Sequence, residues 1–327
     1  MRSMSPRPKT RIHVEEWEPA YGSPYLVDSE DPTTANVVED GGELRFHASR
    51  EVGLPDIAPS KLGLAFVDGV RRAEAALYQV SETGRSGRGI AGSHACGAVL
   101  APFDGSIPAF GPVAVERVAI WGSGMEGALP PIASWAWRSV VIEDDAPDAP
   151  LRELQERMRL AEARLAEEIS VQGFLTVVDG PLHYVRSRDL PVVGYIKTHH
   201  RTLLSPLDHS RVPALGAGER TSIFAVGSDR YSTYLRLAQN PALSGPWSGI
   251  VRLEIPQSAG LDTAARIADA MAAALPRFAG VPHRDPRAPQ NLQPVGALES
   301  HLRHLLGSAE LARRAVREAV AQSASAH

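Results

Sequence analysis

The hydrophobic pattern of residues 151–182 changes period once. Leu151, Leu154, Met158, Leu165 and Ile169 recur at three- to four-residue spacing and draw one apolar stripe, so a helix is predicted here. Glu162 falls on that stripe, one turn after Met158, whereas Arg164, Glu167 and Glu168 lie off it. A carboxylate on a core-facing stripe is costly unless something pairs with it. From Gly173 the pattern becomes a continuous apolar run, Phe174 to Val178, closed by Asp179-Gly180. That predicts a buried strand ending in an acid. The run from Gly63 to Val67, closed by Asp68-Gly69, repeats the design.

Two strands and a helix therefore direct Asp68, Glu162 and Asp179 toward one interior. Crowded carboxylates repel one another unless protonated or neutralised. Hard cations such as Mg²⁺ and Mn²⁺ favour oxygen ligands of this kind. Paired metals about 4 Å apart are an established apparatus for phosphodiester cleavage. Taken singly, each Asp-Gly also fits an ordinary turn, and Glu162 fits a stripe-edge residue reaching solvent. The conjunction of the three is what points to a metal site.

The same patterning organises the rest of the chain. Residues 1–55 read as a polar, partly irregular N-terminal arm with one short amphipathic piece near Val38 to Val52. Residues 61–80 read as a hairpin that turns at Asp68 to Arg71, with a further strand near Cys96 to Leu100. Arg71, Arg72, Arg85 and Arg88 then lie around turns, where they suit phosphates or plain solvation. Val113 to Ile120 reads as a strand, and Glu143 to Asp145 as a solvated loop; residues 102–147 yield no function. Pro191 to Lys197 is another apolar run of parallel type. Lys197 ends it where the acidic strands also end, placed to meet a scissile phosphate. His199 and His200 would point opposite ways on a strand, so at most one could serve as a ligand. Thr221 to Val226, Tyr231 to Leu237 and Gly249 to Glu254 alternate like strands with one solvated face. Helices are predicted for Leu261 to Phe278, from the polar turn at Pro289 to Pro294 through Leu306, and for Ser308 to Ala324.

Six segments, in order, resemble the NurA nucleases: residues 66–75 (FVDGVRRAEA), 159–166 (RLAEARLA), 174–182 (FLTVVDGPL), 192–200 (VVGYIKTHH), 234–237 (YLRL) and 289–307 (PQNLQPVGALESHLRHLLG). The resemblance spans roughly Leu62 to Gly307. It implies an α/β, RNase H-like mixed sheet flanked by helices over residues 56–307; the pattern beyond it reads 308–327 as a C-terminal helix and tail. It implies a metal-dependent DNA nuclease using Mn²⁺ or Mg²⁺, with Asp68, Glu162 and Asp179 as the metal-binding acids. Tyr234 would join them near the active centre, to which the strand pattern itself adds Lys197. It further implies a homodimer working with a HerA-type hexameric ATPase in DNA end processing or phage defence. Many relatives carry a histidine shortly after the polar turn. Here Gly296 stands near that position, with His301 and His304 a turn or more further on, which leaves a fourth catalytic residue unassigned.

Composition narrows the reading further. With 327 residues and 43% hydrophobic content, the chain can bury a substantial core. A net charge of −4 argues against tight, free-standing DNA binding but not against cleavage. The one cysteine, Cys96, excludes an internal disulfide and a cysteine-rich zinc site, and reads as a packed strand thiol despite nearby His94. No apolar run reaches membrane-span length, so a cytoplasmic protein without a membrane partner is expected. There is no P-loop and no Gly-x-Ser-x-Gly. Two other readings remain open on this pattern: a non-catalytic DNA-binding scaffold on the same fold, and a metal-dependent hydrolase of small phosphorylated substrates.

Overall fold

A computed structural model of the protein describes residues 10–14, 35–48, 62–187, 190–197, 202–238, 245–281, 283–285 and 287–325. The strands are β1 (Thr10–Val14), β2 (Asn36–Val37), β3 (Phe46–Ala48), β4 (Gly63–Ser81), β5 (Ser86–Pro102), β6 (Ala109–Trp121), β7 (Arg138–Val141), β8 (Phe174–Asp179), β9 (Val192–Ile196), β10 (Glu219–Thr221), β11 (Phe224–Val226), β12 (Arg230–Arg236) and β13 (Ile250–Pro256). The helices are α1 (Ala149–Val171), α2 (Pro206–Arg211), α3 (Leu261–Ala274), α4 (Gln293–Leu305) and α5 (Ala309–Ser325). All described strands join one mixed sheet, with the path β2-β11-β12-β13-β9-β8-β4-β5-β6-β7. This is the α/β mixed sheet flanked by helices that the sequence predicts.

The long meander β4-β5-β6 is antiparallel, and β8 and β9 then add parallel to its β4 edge. Successive strand residues point to opposite faces. Leu64 and Phe66 enter one core with the apolar sides of α3 and α4, including Ile267, Met271, Leu298 and Leu302. Ala65 and Val67 enter a second core under α1, with Leu165 and Ile169. The predicted stripe of α1 is buried throughout, Glu162 included.

Two expectations are corrected. Asp68-Gly69 is not a turn: β4 runs unbroken for 19 residues, pairing Asp68 with Gly97 and Gly69 with Cys96. The ladder to β5 satisfies the backbone on both sides of Asp68 and overrides the turn tendency of Asp-Gly; the chain reverses at Ser81 to Ser86 instead. Arg71 and Arg72 therefore sit within a strand. β12 and β13 lack the solvated face their alternation suggests, because both sides are covered and residues 232–236 and 250–256 are all buried. Within residues 1–55, β1 pairs with β4, β2 with β11 and β3 with β10.

The candidate acidic centre

β4 and β8 stay paired only as far as Val67 and Val178. One residue further on, β8 ends at Asp179 while β4 continues, and the sheet forks with Asp68 and Asp179 at its mouth. Asp68 shares the face of Leu64 and Phe66, which α4 covers. A carboxylate oxygen of Glu299, on α4, lies within 4.8 Å of one from Asp68 and one from Asp179. Glu299 is the residue the sequence reading missed. Its signal was of the same kind as that of Glu162, an acid beside the apolar positions Val295, Leu298 and Leu302.

Lys197 follows β9 and reaches the same place. Its Nζ donates to Asp179 Oδ2 at 2.6 Å and to Asn291 Oδ1 at 2.7 Å. Asn291, 1% exposed, passes the link on by donating Nδ2 to Asp285 Oδ2. Arg287 grips Glu299 with both guanidinium nitrogens, at 2.9 and 3.0 Å. Tyr195 Oη donates to the Gln290 carbonyl at 2.6 Å and ties down the turn that carries Asn291. Gly296 is also accounted for: a Cβ there would come within 3.3 Å of Asn291 Nδ2. Of the downstream histidines, His301 stacks on Phe110 and His304 is exposed.

Glu162 approaches from the other side of β4. A Cβ built on Gly69 would fall 2.4 Å from its Oε1, so the glycine is what lets the carboxylate lie against the strand. Arg159 Nη1 bridges Glu162 Oε2 at 3.0 Å and the Asp179 carbonyl at 2.8 Å. The structure thus gathers Asp68, Asp179, Glu299 and Lys197 on one face and sets Glu162 behind the strand. Tyr234 is placed elsewhere, on β12 in an aromatic core with Phe224 and Trp247. His199 and His200 lie outside the described residues. Cys96 is a packed strand thiol, and burial pushes its pKa up to about 11.

Lys197 answers Asp179, Arg287 answers Glu299 and Arg159 answers Glu162, and the compensation stops at Asp68. Burial pushes the Asp68 carboxyl well above the usual range, and the charges of Asp179, Glu162 and Glu299 add to it against the pull of Lys197. Burial raises Glu162 to about 7 despite the opposing Arg159 charge. Asp68 Oδ2 and Glu162 Oε1 are both buried without a hydrogen-bond partner. Buried polar atoms are normally satisfied, so the orphaned Asp68 oxygen at the fork needs an explanation. A hard divalent cation fits this all-oxygen donor set and supplies the missing charge.

The fold and the centre define the molecule as an α/β protein with a buried carboxylate cluster at a strand fork. No protein-family model matches the chain, and no curated protein matches it. Among solved structures it is similar to the NurA nuclease from Sulfolobus solfataricus, at 11% identity over 73% of this chain and 78% of that one, with a TM-score of 0.41. No helix among the described residues is long and apolar enough to cross a membrane.

Proposed function

We propose that this protein is a divalent-metal-dependent DNA nuclease that hydrolyses phosphodiester bonds at the β4/β8 fork. The observation that carries the reading is the gathering of Asp68, Asp179 and Glu299 oxygens within 4.8 Å of one another, with Oδ2 of Asp68 buried and orphaned. These three residues would hold Mn²⁺ or Mg²⁺, with Glu162 adding its negative charge from behind β4. When bound, such a cation supplies Lewis acidity at a phosphoryl oxygen and acidifies an attacking water. Lys197, fixed between Asp179 and Asn291, offers a preorganised positive charge to a phosphate entering the fork. Tyr195 and Asn291 keep that ammonium in place. Arg159 ties α1 to the end of β8 and holds Glu162 against the strand.

The net charge of −4 and the lack of a nucleotide-binding motif support a second element of the reading. The protein works as a homodimer fed with DNA by a HerA-type ATPase, in the cytoplasm, in end processing or phage defence. Cleavage of linear and plasmid DNA with Mn²⁺, with Mg²⁺ and with chelator, alone and with a HerA-type ATPase, tests it. Metal-dependent cleavage that Asp179→Ala abolishes is expected; cleavage that survives in chelator contradicts the proposal.

A further inference from the structure

A cavity of about 860 Å³ opens beside α4, and its wall includes Asn291 and Glu299. Through Asn291 it connects to Lys197, and through Glu299 to Asp68 and Asp179. Its charge is opposite to that of the chain. Arg277, Arg284, Arg287 and Arg303 line it against only Asp285 and Glu299, while the whole protein carries −4. Arg287 and Arg303 are engaged with Glu299. Arg277 and Arg284 are exposed and have no carboxylate partner among the described residues. The wall also carries aromatic surface. Phe110, 49% exposed, stacks on His301 with ring centroids 4.3 Å apart and planes 15° from parallel, and Phe278 lines the same space.

We infer that this cavity binds a short stretch of single-stranded DNA flanking the fork. Arg277 and Arg284 hold its phosphates, and Phe110 stacks a base. Positive groups that track a backbone, joined to an aromatic platform, are the means by which single strands are held without sequence preference. The volume lies within the range of small-molecule pockets and takes a nucleotide or two, not a duplex. The inference rests on the nuclease reading for the role of the strand, but its binding is measurable without catalysis.

The probe is a fluorescein-labelled oligothymidylate of eight nucleotides, followed by anisotropy in chelator at several salt concentrations. The Arg277→Ala/Arg284→Ala double variant is expected to bind on the order of tenfold more weakly. Its salt dependence should be shallower by about 0.7 log unit for each phosphate left unneutralised. The corresponding double lysine variant should keep most of the affinity, which separates a missing charge from a misfolded chain. Phe110→Ala should weaken the oligonucleotide about tenfold, yet leave binding of inorganic polyphosphate unchanged, because only the former has a base to stack. Equal binding by wild type and the double alanine variant overturns the inference, as does blunt duplex competing as well as the single strand. Polyphosphate losing affinity alongside the oligonucleotide in Phe110→Ala would also overturn it. A protein that shows this binding pattern but cleaves nothing with any metal removes the nuclease reading and leaves the site standing. Unchanged binding and cleavage in the double alanine variant removes the site alone.

Discussion

Two acidic clusters in this molecule look alike on paper and differ in whether every acid in them has a partner. One is Asp68, Asp179 and Glu299 at the strand fork; the other is Glu39, Asp40 and His47 beside β3. In the second, each charge is answered. Arg220, with its side chain 2% exposed, donates twice to Glu39, at 2.8 and 3.0 Å, and once to Asp269. Ser222 Oγ and His47 Nε2 bond Asp40 at 2.6 and 2.7 Å. Burial pushes Glu39 and Asp40 up, but these bonds outweigh it and hold both below the usual carboxylate range. At the fork, burial and mutual repulsion win, and Asp68 is held well above that range. The pair teaches that a group of acids becomes a candidate metal centre through its unanswered charge, not through its membership.

The largest expected effect falls on catalysis. Asp68→Asn should abolish cleavage, exceeding the roughly 10–100-fold lost when a residue behind a metal ligand is removed. The metal-free protein should melt no lower than wild type, because one repelling charge is gone. Glu39→Gln should do the reverse. Cleavage should persist while stability falls by roughly 2 kcal/mol, less than for a fully buried pair because Asp269 still faces Arg220. Activity and denaturant titrations of the two variants read both arms. If Asp68→Asn lost more stability than Glu39→Gln, the contrast between the clusters would collapse.

Lys197→Ala comes next, with cleavage reduced on the order of a hundredfold. Manganese affinity should change little, since an ammonium is not a ligand. A rate equal to wild type would return Lys197 to the role of an ion-pair partner of Asp179.

The clusters should also respond oppositely to pH. The folded Glu162 titrates near 7 rather than 4.5, so the folded state holds more protons than the unfolded one between those values. Without metal, stability should therefore fall as pH rises from about 4.5 to 7, and then level off. Asp68 adds in the same direction. Glu39 and Asp40, with depressed values, contribute stability that is present above their ordinary range and lost as pH falls through it. Thermal melts from pH 3 to 8 should show a decline between 4.5 and 7 that Mn²⁺ removes. Stability rising with pH across that window would contradict the electrostatic picture of the fork.

The smallest effect is expected at Gly69→Ala. The added methyl meets Glu162 Oε1 and Met158, so the Glu162 side chain must move, at a cost of about 1–3 kcal/mol. Cleavage should drop only in part, because Asp68, Asp179 and Glu299 lie on the opposite face. A rate loss as deep as that of Asp68→Asn would make Glu162 an equal member of the centre.

What the sequence made legible follows from the range of the forces involved. The apolar stripe that carries Glu162 and the runs that end in Asp68 and Asp179 are local patterns, and they place all three residues correctly on α1, β4 and β8. Lys197 was readable from its position at the end of an apolar strand. The unbroken course of β4 was not, because pairing with β5, distant along the chain, overrules the local turn preference of Asp68-Gly69. β2 and β3, at two and three residues, are too short to show a period. Glu299 was missed for a similar reason. Its meeting with Asp68 depends on how α4 packs on the sheet, and no spacing within residues 293–305 encodes that. The face on which Glu162 arrives was equally hidden: periodicity assigns it to the interior, but not to one side of β4.

The central claim is that the fork is a cation site, and calorimetric titration of Mn²⁺ into chelator-stripped protein tests it without reference to activity. Saturable binding is expected for wild type and for Glu39→Gln, and none for Asp68→Asn. Undiminished binding by Asp68→Asn, or its loss in Glu39→Gln alone, would contradict the claim and move the metal to the wrong cluster.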